Sequence, residues 1–134
     1  MRKEEVNLGT AVRVIIMDSI SMVGPEDAGS IVVSASHGGT SSGEIALQVP
    51  LRAVFFNDAG IGKDDAGIAA LAMLQARGIP AGTVAHTSAR IGDALDMLEN
   101  GTLSRVNESA RARGCKPGTR LRATLTTLTD GSLG

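Results

Sequence analysis

Apolar residues in this chain gather in short, nearly unbroken runs, and each run ends on a small polar cluster. Residues 12–17 close on Asp18 and Ser19, residues 30–36 on His37-Gly38-Gly39, and residues 53–56 on Asn57 and Asp58. The runs are rich in Val, Ile and Phe and do not alternate with polar positions, which predicts strands covered on both faces by helices and hence a parallel sheet. Residues 82–86, ending at Thr87-Ser88, predict a fourth strand, and 103–106 a short fifth. Residues 120–128 alternate, with Leu121, Ala123 and Leu125 opposite Arg120, Arg122 and Thr124, and predict an edge strand or an arm laid on a neighbour.

Helical patterns separate these runs. Ser41-Ser42-Gly43-Glu44 has the spacing of a capping box and predicts a short helix reaching about Gln48. A second helix is predicted from Asp64 or Asp65 through Ile68, Leu71, Ala72, Met73 and Leu74, stopped by Gly78 and Pro80. It is apolar nearly all round, so it is expected either to lie within the core or to be covered by a second copy of the chain, and a homo-oligomer follows. A third helix carries Ile91, Leu95 and Leu98 on one face with Gly101 after its end, and Asn107 caps a last short one before Gly114 and Pro117. Gly24-Pro25-Glu26-Asp27 reads as a turn and residues 130–134 as a frayed tail.

The strand–helix rhythm predicts one α/β domain over residues 1–134. Its expected form is a three-layer sandwich on a mostly parallel, doubly wound sheet of the Rossmann or flavodoxin-like kind. Ligands of such sheets bind outside the carboxyl ends of the strands.

Composition narrows the partners. The chain has 134 residues, a formal net charge of -1, and no Trp or Tyr. Neither a basic footprint nor stacking aromatics support nucleic-acid binding, and no apolar stretch approaches a membrane span. One cysteine, Cys115, excludes an internal disulfide. With an opening Met1-Arg2-Lys3-Glu4-Glu5 unlike a secretory signal, a cytoplasmic setting is expected.

The distinctive polar residues fall just after predicted strands: Asp18 and Ser19, Ser36 and His37, Asn57 and Asp58 with Lys63, then His86, Thr87, Ser88 and Arg90. In a parallel sheet those positions share one rim, which would bring both histidines together with a lysine, an arginine and several carboxylates. The segment from His37 to Gly43, including Gly38, Gly39 and Ser41, runs into a helix start, where free amides favour an anion. The alternative is that Ser41 only caps and the glycines only turn.

The stretch Asn57-Asp58-Ala59-Gly60-Ile61-Gly62-Lys63-Asp64 carries a Gly-x-Gly-Lys. It lacks both the first glycine and the Ser or Thr of a phosphate loop, and the two carboxylates that follow the lysine, Asp64 and Asp65, repel phosphate. Residues 30–60, with a His-Gly pair closing a strand, are similar to the caspase-like peptidase core. In that family the next strand ends in the nucleophilic cysteine, whereas here it ends in Asn57-Asp58-Ala59-Gly60, and Cys115 lies in a late Gly/Pro loop. The family's chemistry is therefore not carried over.

His37 beside glycines is the expected proton carrier, with Asp58 to orient it and Ser88, Ser36 or Ser41 as a hydroxyl nearby. Asp18, Gly38, Gly39, Ser41, Asn57, Lys63, His86 and Arg90 are the expected ligand-binding residues, Lys63 or Arg90 fixing a negative group. No cofactor and no metal are expected. The resulting expectation is an enzyme of hydrolase or lyase type working by acid/base chemistry on a small, polar, anionic substrate. The alternative is a non-catalytic, homo-oligomeric metabolite-binding or regulatory module, and a third is a structural subunit whose caps and glycines merely shape loops.

Overall fold

In a computed structural model, which describes residues 1–129, six strands form one mixed sheet in the order β1-β2-β3-β4-β5-β6. They are β1 (Lys3–Val6), β2 (Val14–Met17), β3 (Ile31–His37), β4 (Ala53–Asn57), β5 (Ala81–Val84) and β6 (Leu103–Val106). The helices are α1 (Thr40–Ala46), α2 (Ala69–Gln75), α3 (Ala94–Asn100), α4 (Glu108–Arg111) and α5 (Leu121–Thr129). The α/β class stands, but the sheet departs from the doubly wound expectation. The pairs β2–β3, β3–β4 and β4–β5 are parallel, whereas β1–β2 and β5–β6 at the two edges are antiparallel. Strand order also follows chain order without reversing, so the sheet has no switch point at which a ligand crevice would open.

The central strands β2, β3, β4 and β5 are buried on both faces, and successive residues feed opposite layers. Val14, Ile16, Ile31, Val33 and Phe55 pack with Met97, Leu98, Leu121 and Leu125 of α3 and α5. Ile15, Met17, Val32, Val54 and Phe56 pack with Ala46, Ala70, Leu71 and Leu74 of α1 and α2. The second layer accounts for the apolar girdle of α2. Its inner face lies on the sheet, and Met73 sits against Gly43 of α1, where a Cβ would stand 2.7 Å from the Met73 sulfur. Contact with a second copy is therefore not needed to cover α2, which removes the observation behind the expected self-association.

Four other expectations are corrected. Residues 121–129 are helical because Leu121, Leu125 and Leu128 stand at i, i+4, i+7 and are all buried. Threonines of this helix turn their hydroxyls back on it: Thr124 Oγ1 donates to the Arg120 carbonyl at 3.0 Å and Thr129 Oγ1 to that of Leu125 at 2.9 Å. The Ser41 capping box is not formed, since α1 begins at Thr40 after Gly39 with no side-chain cap, and the Ser42 hydroxyl donates to the His37 carbonyl at 2.6 Å. The regular part of the second helix starts only at Ala69; residues 63–68 form a 3₁₀-like stretch broken by left-handed Asp64 and Asp65. Ile91 lies outside α3 and is 48% exposed, and the buried face of that helix is Ala94, Met97 and Leu98.

The first strand carries no apolar run. Its edge position suits charged residues, and Lys3 pins it by donating to Glu26 Oε2 at 2.7 Å and the Met22 carbonyl at 2.8 Å. The tail expected at residues 130–134 lies outside the described residues. Among the described residues no helix is long and apolar enough to cross a membrane.

Asn107 joins three elements from one buried amide. Its Oδ1 accepts from the amides of Ala81 and Ala110, both at 3.0 Å, and its Nδ2 donates to the carbonyls of Ile79 at 2.9 Å and Leu71 at 3.3 Å. It thereby caps α4 and ties the start of β5 to the end of α2. Replacing it strands buried backbone groups at a cost of about 1–3 kcal/mol each. Asn107→Ala is expected to lower unfolding free energy by more than about 2 kcal/mol in denaturant titration, whereas the exposed Glu108→Ala stays close to wild type.

Candidate functional site

The carboxyl ends of the parallel strands meet a single returning segment, residues 85–94. After β5 the chain does not go directly to β6. It runs back along the rim over β4, β3 and β2 before α3 begins, and each strand end holds it. Asp58, after β4, accepts the His86 amide at 3.1 Å; Asn57 Nδ2 donates to the Ala89 carbonyl at 3.0 Å. The Ala35 carbonyl of β3 accepts the Gly92 amide at 2.9 Å, and Asp18 Oδ1, after β2, accepts the Ala94 amide at 2.9 Å. Asp18 Oδ2 meanwhile takes the Arg2 amide at 2.7 Å, so one carboxylate ties β1, β2 and α3.

Much of the polar rim is consumed by this strap. Ser88 Oγ donates to the Ala85 carbonyl at 2.7 Å and accepts the Thr102 amide at 2.9 Å, an engagement that suits a turn rather than a nucleophile. Ser36 Oγ accepts the Ile20 amide at 2.9 Å. Asn57 is fully buried, and its Oδ1 accepts the Ala59 amide at 2.8 Å. Gly38 and Gly67 serve packing: a Cβ on Gly38 would stand 2.6 Å from the Gly67 carbonyl oxygen, and one on Gly67 would collide with the Asp58 carbonyl. Gly39 is the residue before α1, which has only seven residues.

The two histidines do not share a site. His37 is exposed at the end of β3, and its ring makes no hydrogen bond among the described residues. It lines an open cleft of about 370 Å³ with Asp18, Ser36, Ser41 and Ile91. His86 lies past the end of β5, and its Nδ1 is 3.3 Å from Asp58 Oδ1. The Asp58 side chain is 5% exposed and that of His86 54%, so a buried carboxylate backs an accessible imidazole. His86 lines a separate open hollow of about 330 Å³ with Thr87, Ser88, Arg90 and Asp96. Sequence reasoning paired Asp58 with His37; the strand order and the strap bring it to His86.

The loop beside the pair is bent sharply. Ala59, Ile61, Asp64 and Asp65 all have positive φ, with Ile61 at 68°, a conformation that a β-branched residue rarely adopts. The loop is closed by the Ile61 amide on the Asp58 carbonyl at 2.6 Å and the Gly67 amide on the Ile61 carbonyl at 2.6 Å. Lys63 in this loop is exposed and does not line the His86 hollow.

Burial pushes the Asp58 carboxyl up. The Ser104 hydroxyl, the Gly60 and His86 amides and the His86 ring outweigh it and hold the group below its ordinary value of 3.8. Asp18 behaves alike: burial acts upward, and the Ala94 and Arg2 amides with the nearby N-terminal charge bring the net shift downward. Cys115 is 1% exposed in the core, and burial raises its thiol to about 11 against the opposing Arg113 charge, so it is no ready nucleophile. Among the described residues no cluster of three or more His, Cys, Asp or Glu is placed to hold a metal ion.

Compared with protein-family models, with curated proteins and with solved structures, the chain finds no match.

Both depressed carboxylates link folding to pH with a definite sign. Their folded pKa lies below the unfolded one, so their contribution is complete above the ordinary 3.8 and is lost as pH falls through the lowered folded values. Stability measured by denaturant titration is expected to fall as pH drops below about 4. In Asp58→Asn the protein is less stable at neutral pH and its acid decline is shallower; an unchanged acid limb would contradict the assignment.

Proposed function

We propose that the chain is an enzyme that moves protons on a small anionic molecule at the His86 hollow. The observation that carries this reading is the contact between His86 Nδ1 and the buried, ionised Asp58. A carboxylate on one ring nitrogen fixes the tautomer with the proton on that nitrogen and leaves the other as a base. Nε2 is the nitrogen that does not contact Asp58, and the His86 side chain as a whole is 54% accessible.

In a hydrolytic step, Nε2 takes a proton from water while the water oxygen bonds to the electrophilic carbon. The ion pair with Asp58 stabilises the imidazolium, which returns the proton to the leaving group. In a lyase step the proton comes instead from carbon, and the leaving group departs with its electron pair. Ser88 is not needed in either, which agrees with its engaged hydroxyl. Arg90 lines the same hollow and makes no side-chain ion pair among the described residues, leaving its guanidinium to hold the substrate's negative group. Asp96 also lines the hollow and stays charged, its carboxylate accepting the Arg90 amide at 2.8 Å and Asn100 Nδ2 at 2.7 Å, with the Arg90 charge near it. A single buried cysteine suits a reducing, cytoplasmic setting.

Turnover of a panel of small carboxylated and phosphorylated esters, amides and β-hydroxy acids tests this. For a processed compound, His86→Gln is expected to lower kcat by about 10²–10⁴-fold, the span of a lost general base. Arg90→Ala raises KM chiefly, and His37→Ala changes neither. Loss of turnover in His37→Ala with an active His86→Gln would reverse the assignment. Binding of a panel compound through Arg90 without turnover would favour a metabolite-binding module.

A further inference from the structure

The strap divides the rim into two hollows of unlike chemistry. Arg90 and Ile91 are neighbours in the chain, yet Arg90 lines the His86 hollow and Ile91 the cleft beside His37. From that contrast we propose that the His37 cleft is a second binding site, and that it takes a small uncharged molecule with a carbonyl or hydroxyl group on an apolar body.

Size allows a ligand, since the cleft holds about 370 Å³ and small-molecule sites run from about 300 to 1,000 Å³. Charge selects its class. The residues lining the cleft include no lysine or arginine, and the one carboxylate among them, Asp18, already accepts two backbone amides. An anion would meet that carboxylate with no lysine or arginine in the lining to offset it; the N-terminal amine and Arg2, which act on Asp18, are not lining residues.

The remaining polar groups are short neutral donors and acceptors. The Ser36 oxygen takes the Ile20 amide, which leaves its own proton to donate. Ser41 is exposed, and the His37 ring has no hydrogen-bond partner among the described residues. These groups stand beside the apolar side chains of Ile20, Ile45 and Ile91. Ile91 also has the wrong exposure for a residue without a partner. Among the described residues only Met1 and Ile91 are large exposed hydrophobics, and Ile91 lines the cleft beside Gly92, whose amide is bonded to the Ala35 carbonyl. A ligand with an apolar body lying under Ile91 removes that surface from water.

Benzamide and benzoate, which share a ring and differ in charge, are the probes. With the full chain labelled with ¹⁵N, benzamide at millimolar concentration is expected to shift the amide resonances of Ser21, Ser41 and Gly92 saturably. Benzoate leaves them in place. In Ile91→Asp, which changes an exposed side chain, benzamide binding weakens by about tenfold or more, while in His86→Gln it is unchanged. The proposal is overturned if benzamide shifts none of these resonances, or if benzoate shifts them equally. It also fails if His86→Gln removes the response, which would move the ligand to the acid/base hollow. Because the readout is binding at the His37 cleft, failure of the proposed catalytic function leaves this outcome unaffected.

Discussion

The hydrogen bonds that carry residues 85–94 back across the rim are the constraint on which the rest of the site depends. A chain leaving β5 for an antiparallel neighbour needs only a short turn. This one instead spans three strand ends, held successively by Asp58, Asn57, the Ala35 carbonyl and Asp18. The detour places α3 on β2 and β3, opposite the layer formed by α1 and α2, and so builds the second face of the core. It also decides which polar residues remain for function. Side chains that hold the strap are engaged, whereas those of Arg90 and His37 make no hydrogen bond among the described residues and that of His86 meets only Asp58.

Asp58 stands at the junction of fold and chemistry. The same Oδ1 that accepts the His86 amide lies against the His86 ring and also takes the Gly60 amide at 2.8 Å. The strap, the bent loop after β4 and the imidazole are thus set by one buried oxygen. Depressing the carboxyl's pKa by hydrogen bonds keeps it charged despite burial, and a buried charge needs such partners to be tolerated. The arrangement ties the strap to the fold and orients the His86 ring, so no separate structural element is required to aim it.

The strands of the sheet's centre were legible in the sequence because burial on both faces leaves continuous apolar runs, and the rim was legible because each run ends on polar residues. β1 was not, since an edge strand carrying Lys3, Glu4 and Glu5 has no apolar signal. α5 was misread because Leu121, Ala123 and Leu125 alternate with Arg120, Arg122 and Thr124; the competing spacing of Leu121, Leu125 and Leu128 decided the fold. The partner of Asp58 was beyond reach of a linear reading. His37 is nearer in sequence, and only the place of β5 beside β4, with the strap leaving it, brings His86 to the carboxylate. The same limit hid the structural duties of Asp18 and Ser88, whose partners are backbone groups distant in the chain.

The position of the proton on the neutral His86 ring tests the central claim most directly. Long-range ¹H–¹⁵N correlation spectra of the histidine side chains at alkaline pH report it without a substrate. The Asp58 contact predicts that His86 carries its proton on Nδ1, with Nε2 bare, and that Asp58→Asn abolishes this preference while His37 is unaffected. A wild-type His86 ring protonated on Nε2 would contradict the account, because the nitrogen assigned as the base would then be the one already holding the proton.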